Sequence, residues 1–185
     1  MKKRSFLLLA LTVIVYNYIT ASCGYVPKRS DYTFRTEVRT TTEDGEVRWD
    51  TIVIYLTDSK NKTQIFYSQA QPLDTMSWSK ENIGTIEEED WNFDGIPDLQ
   101  VCRGTANGYG NLTYDVWIWN DKAHKFEYLN YDGEIYNPNV DFGNKRIVSI
   151  FRLNEEVTIE HYKWEKEKLI KLDCIETSVN ELTDD

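Results

Sequence analysis

Between Asp90 and Asp98 the chain reads Asp-Trp-Asn-Phe-Asp-Gly-Ile-Pro-Asp, and here residue type and spacing come nearest to a defined chemistry. Oxygen-bearing side chains stand at the first, third, fifth and ninth positions, with glycine at the sixth. That is the spacing by which a tight loop wraps a hard, oxygen-seeking cation such as calcium. The expected ligands are Asp90, Asn92, Asp94, the main-chain carbonyl of Ile96, and Asp98, and calcium is the expected cofactor. Gly95 can adopt the positive φ that such a turn needs. The twelfth position is Val101, so the bidentate glutamate that closes a helix-loop-helix calcium site is missing. Pro97 and the run Leu99-Gln100-Val101-Cys102 read as the start of a strand, which makes this a strand-loop-strand clamp. The alternative is a metal-free loop whose Asp and Asn side chains bond their own backbone.

A second stretch, Gly104-Thr105-Ala106-Asn107-Gly108-Tyr109-Gly110-Asn111, holds three glycines and two asparagines in eight residues and reads as an exposed loop. No Lys-Ser/Thr follows and no helix begins after it, which excludes a phosphate-cradling loop. Its one large side chain, Tyr109, stands between two glycines, as an aromatic anchor for a partner's cleft would. Asn107, Gly108, Tyr109, Gly110 and Asn111 are the expected partner-binding residues; the alternative has Tyr109 packing back onto the sheet. Catalysis finds no comparable support. His124 and His161 are the only histidines and show no metal-binding spacing, and no serine sits in a nucleophile motif. The densest carboxylates belong to the cation loop, so no enzyme activity is expected.

The elements that must position these loops are strands. Tyr32–Arg39, Trp49–Thr57 and Thr63–Tyr67 alternate apolar and polar residues, with turns at Thr41–Gly45 and Asp58–Asn61. Gln71–Ser79 reads as a loop or a single helical turn. Ile83–Ile86 feeds the cation loop, with Glu87-Glu88-Glu89 at its end, and Leu99–Arg103 leaves it. Tyr114–Trp119 and Lys125–Leu129 form a hairpin, and Asn137-Pro138-Asn139 breaks the chain. Arg146–Arg152, Glu156–Trp164 and Lys168–Glu176 follow as antiparallel strands. The fold expected is all-β, an antiparallel β-sandwich or a partly closed barrel of nine or ten short strands. The similar hairpins hint at an internal repeat without establishing a propeller. Trp117 and Trp119 share one face of their strand, and Tyr114, Val116 and Ile118 share the other. One of these faces is expected to be core; exposure of the two tryptophans would favour a sugar-stacking platform, and their burial the Tyr109 loop.

The front end is basic at Lys2-Lys3-Arg4, apolar from Phe6 to Val15, and small-residued at Thr20-Ala21-Ser22 before Cys23. This is a secretory signal, too short for a comfortable membrane span. Thr20-Ala21-Ser22-Cys23 resembles the lipobox of bacterial lipoproteins, with Thr20 where an aliphatic residue is usual; cleavage by the ordinary signal peptidase is the alternative. The organisation expected is a signal peptide over residues 1–22, a lipid-anchored tether over 23–30, one β domain over 31–177, and an acidic tail over 178–185. Loss of the leader takes the net charge from -10 to -13, which disfavours nucleic acid and suits calcium or a cationic protein partner. With Cys23 lipidated, Cys102 and Cys174 remain as an even pair in an oxidising compartment, so a disulfide between them is expected, two buried free thiols being the alternative.

The loop Asp90–Leu99 resembles the calcium loops of FG-GAP and integrin-type β repeats, which also lie between strands. A longer run passes through Gly108, Asn111, Tyr114, Trp117-Ile118-Trp119 and Lys125-Phe126 to Tyr162-Lys163-Trp164 and Lys168-Leu169. It resembles a group of envelope proteins of Gram-negative bacteria, the lysozyme-inhibitor-like immunity proteins that oppose secreted peptidoglycan hydrolases. The likeness covers about residues 48–176 and its motifs are short. It implies an all-β domain in the periplasm, bound calcium and a protein-binding role. The function expected is therefore an envelope-anchored, calcium-binding β domain, facing the periplasm or the outer surface, that binds and inhibits a protein such as a peptidoglycan hydrolase. The alternative is a carbohydrate-binding or adhesion module of the envelope.

Overall fold

The computed structural model describes residues 28–43, 46–71, 82–107, 109–131 and 133–182. The expected signal peptide, Cys23 and most of the expected tether lie outside these residues, as do most of Gln71–Ser79, Gly108 and the last three residues of the expected tail. Among the described residues, eleven strands form three antiparallel sheets. The first sheet is a meander of β1 (Thr33–Glu43), β2 (Glu46–Thr57) and β3 (Thr63–Gln69). The second joins β4 (Ile86–Glu89), β5 (Asp98–Thr105), β6 (Leu112–Asn120) and β7 (Lys125–Tyr128) in chain order. The third joins β8 (Asn139–Asp141), β9 (Arg146–Leu153), β10 (Glu156–Glu165) and β11 (Lys168–Ser178), again in chain order. Every neighbour in a sheet is thus its neighbour in sequence, the topology that short hairpin turns produce. The all-β sandwich expectation holds.

The second sheet lies between the other two, and its side-chain alternation shows why. Leu99 and Val101 of β5, with Trp117 and Trp119 of β6, pack against Ile52, Ile54 and Leu56 of β2. Val116 of β6 packs the other way, with Trp91, Ile147, Tyr162 and Leu169, and Ile118 joins that cluster from its edge. One face of Tyr114–Trp119 is expected to be core, and both are: Trp117 and Trp119 are 4% and 2% exposed, and Val116 on the opposite face is 0% exposed. A middle layer is covered on both faces, so its strands bury polar residues such as Asp98, Gln100, Thr113 and Asp115 along with the apolar ones. With both tryptophans buried, they form no sugar-stacking strip.

Several boundaries also move. The chain turns at Asn82–Gly84 and β4 starts only at Ile86, so Glu87-Glu88-Glu89 belongs to the strand rather than trailing it. β8 was not expected, because Asn137-Pro138-Asn139 reads as a break; Asn137 does take φ +43°, and a three-residue strand starts two residues later. β11 runs on to Ser178 and is followed by a single helical turn, Val179–Leu182, where Glu181 accepts from the Thr177 hydroxyl at 2.7 Å. The turn before β4 shows how tightly the first two sheets meet. Gly84 has φ +79°, and a Cβ there would lie 2.9 Å from Val38 Cγ2. Its carbonyl accepts from the Thr36 hydroxyl at 2.7 Å. Gly84→Ala is expected to cost about 1–2 kcal/mol through strain and crowding; an unchanged urea midpoint would contradict this.

The expected disulfide is not made: Cys102 and Cys174 are both free. Cys102 is fully buried in β5 of the middle sheet, whereas Cys174 is exposed on β11, the edge strand of the third. An even cysteine count and an oxidising compartment license a pairing, but the strands decide whether the sulfurs can meet. Burial pushes the Cys102 thiol up to about 11, which keeps it protonated and inert. A thiol reagent is expected to label Cys174 in the native protein and Cys102 only after unfolding. Equal native labelling of both would contradict this placement.

Candidate functional site

The cation loop connects β4 to β5 and therefore sits at the start of β5. Phe93 and Gly95 both take positive φ, +61° and +85°, which folds the chain back on itself within six residues. The side chains expected to ligate calcium turn inward. Asp90 accepts the Asp94 N–H at 3.0 Å and the Gly95 N–H at 2.8 Å. Asn92 Oδ1 accepts the Asp94 N–H at 3.1 Å, and Asp94 Oδ1 accepts the Ile96 N–H at 2.8 Å. The Asn92 amide also donates to Asp94 Oδ2 at 2.9 Å. These are the bonds of a loop that organises itself, as the metal-free alternative requires. They also bring Asp90, Asn92 and Asp94 together around one turn.

Asp98 is fully buried, and its carboxylate ties the loop to the middle sheet. Oδ2 accepts the Trp91 N–H at 2.9 Å and Oδ1 the Trp119 N–H at 2.7 Å. Burial pushes its carboxyl up to about 7, the two N–H bonds oppose that shift, and the nearby charges of Asp94 and Asp90 add to it. Among the described residues no group of three or more His, Cys, Asp or Glu side chains is placed to hold a metal ion. A cation here therefore needs the Asn92 amide oxygen and the Ile96 carbonyl beside the carboxylates, a donor set that fits a hard ion. Each Asp98 oxygen accepts one N–H and retains a lone pair. Two of the three adjacent glutamates are engaged elsewhere: Glu87 accepts from the Gln100 amide, and Glu88 pairs with Arg29 at 2.5 Å. Arg29 also donates to the Pro97 carbonyl at 3.2 Å and lies over the Phe34 and Phe126 rings, which pins the loop's exit to the first sheet.

The glycine-rich loop joins β5 to β6 and so lies at the other end of β5. Ala106 donates its N–H to the Asn111 carbonyl at 2.9 Å, closing the loop's neck. Asn111 is fully buried and bonds β9 on both sides: its amide donates to the Arg152 carbonyl at 2.6 Å, and its Oδ1 accepts the Arg152 N–H at 2.8 Å. Asn107 accepts from the Tyr109 N–H at 3.1 Å and the Asn111 amide at 2.6 Å. The expected binding residues thus separate into two kinds. Asn111 and Asn107 clamp the loop; Tyr109 and Gly110 are exposed, Tyr109 at 47% with its hydroxyl donating to Asn154. The clamping role of Asn111, expected instead as a binding residue, and the bonds of Asn137 and Asn154 had no sequence signal, because bonds from side chains to distant parts of the chain leave no local pattern. Asp115 was missed as well. It accepts from Ser68 at 2.5 Å and from Tyr128 at 3.0 Å, and faces Arg103 at 3.8 Å, a satisfied internal network rather than a free nucleophile.

No protein-family model matches the chain, and no curated protein matches it. Its fold is similar to that of a solved Xanthomonas protein described as type IV secretion system related, with TM-score 0.55 and 15% identity over 83% of this chain and 81% of that one. At that identity the likeness is one of fold.

Proposed function

We propose that this chain is a calcium-binding β domain of the bacterial envelope, held there by lipid at Cys23, that binds a protein partner and inhibits it. The partner class that its charge and loop fit best is a peptidoglycan hydrolase. One observation carries the reading: Tyr109 is half exposed, with its hydroxyl on Asn154, in a turn clamped by Asn111 and Asn107. An exposed aromatic on a pre-ordered loop loses little conformational freedom on binding. The secretion-system description of the Xanthomonas protein supports an envelope setting. The net charge of -10, or -13 after leader removal, favours encounter with basic hydrolases. Calcium at Asp90, Asn92, Asp94, the Ile96 carbonyl and Asp98 would offset the clustered carboxylates and stiffen the entry to β5. The reading is tested by whether the immobilised domain captures a purified peptidoglycan hydrolase and slows its clearing of cell-wall sacculi. Hydrolases that neither bind nor slow would overturn it.

A further inference from the structure

We propose that a cleft at the cation-loop end of the molecule, remote from Tyr109, binds a neutral oligosaccharide. The cleft has a volume of about 1000 Å³ and runs between the second and third sheets, bounded by the β6–β7 turn, the β10–β11 turn, and Asn92 and Asp94 of the cation loop. That volume stands at the upper end of ligand pockets, about 300–1,000 Å³. Its floor is apolar, with buried Leu129 and Leu169, and its walls carry the rings of Tyr128, Tyr131 and Trp164. Tyr128 is 54% exposed, while Tyr131 and Trp164 are half-buried and packed on the core behind them, so the rings are held in place. Exposed Asn130, Glu167 and Lys168 supply donors and acceptors at the rim. The lining carries Asp94, Asp121, Glu127 and Glu167 against Lys122 and Lys168, an acidic surplus that disfavours an anionic ligand. Rings for an apolar C–H face, flanked by side chains that both give and accept hydrogen bonds, match a sugar, which has one face of each kind.

This site goes beyond the partner-binding reading and does not depend on it, because the cleft and Tyr109 lie at opposite ends of β5. The test is titration of the folded domain with the β-1,4-linked tetramer of N-acetylglucosamine, followed through the Trp164 indole N–H resonance, with an oligolysine peptide as the rival ligand. Saturable movement of that resonance by the tetrasaccharide is expected. The double variant Asn130→Ala/Glu167→Ala, which removes two exposed side chains, should bind it at least tenfold more weakly with an unchanged melting temperature. Tyr109→Ala should bind it as the parent does. An unmoved resonance, or a double variant that binds like the parent, would overturn the proposal. Movement by oligolysine alone would also overturn it and make the cleft a protein-docking site.

Discussion

Calcium at 100 times its dissociation constant is expected to stabilise the domain by about 2.7 kcal/mol, because it binds the folded loop and not the unfolded chain. For a chain of this size that is a rise in melting temperature of roughly 5–10 °C, reversed by a chelator. The effect arises from three carboxylates in one nine-residue stretch, Asp90, Asp94 and Asp98, the last of them fully buried. Without a cation, the charges of Asp94 and Asp90 raise the Asp98 carboxyl, whose pKa stands near 7 chiefly through burial. With one, the ionised form is favoured and the Trp91 and Trp119 N–H bonds strengthen. Asp94→Ala removes an exposed side chain and the bond to the Ile96 N–H, so the variant should fold and yet lose most of the calcium response. A melting curve indifferent to both millimolar calcium and chelator would sink the site. So would an Asp94→Ala protein that responds as the parent does.

Tyr109→Ala is expected to weaken partner binding by about 2 kcal/mol or more, roughly 30-fold, without changing calcium binding. The ring is half in solvent and makes one side-chain bond, to Asn154, so its loss disturbs the fold little. Surface-plasmon or calorimetric titration against a purified hydrolase reads the change. Asn111→Ala is the contrasting variant. It strips the bonds to both sides of Arg152 from a buried position and should lower stability as well as affinity. If Tyr109→Ala binds as the parent does, the ring is only a lid on Asn154.

Much of this architecture was legible in the chain because alternation survives wherever a strand has one wet face. β1, β3 and β9–β11 lie in outer sheets and were placed within a few residues. β5 and β6 were found, but their setting was not: a strand buried on both faces looks the same whether one sheet or two pack against it. β8 escaped because three residues after Asn137-Pro138 carry too little pattern. The turn over Asp90–Asp98 was visible because its Asp, Asn and Gly spacing is a local property. The clamp on the glycine-rich loop joins Asn111 to Arg152, far along the chain, and the cleft joins the β6–β7 turn to the β10–β11 turn; neither has any local signature.

The proposed activity is inhibition of a cell-wall hydrolase through the Tyr109 loop. It is tested most directly by clearing of a sacculus suspension by a basic peptidoglycan hydrolase, titrated with the parent domain and with Tyr109→Ala in millimolar calcium. Clearing is expected to fall towards zero near one equivalent of parent domain, and the variant to need roughly 30-fold more. Clearing that proceeds unchanged with excess parent domain across a panel of such hydrolases would contradict it.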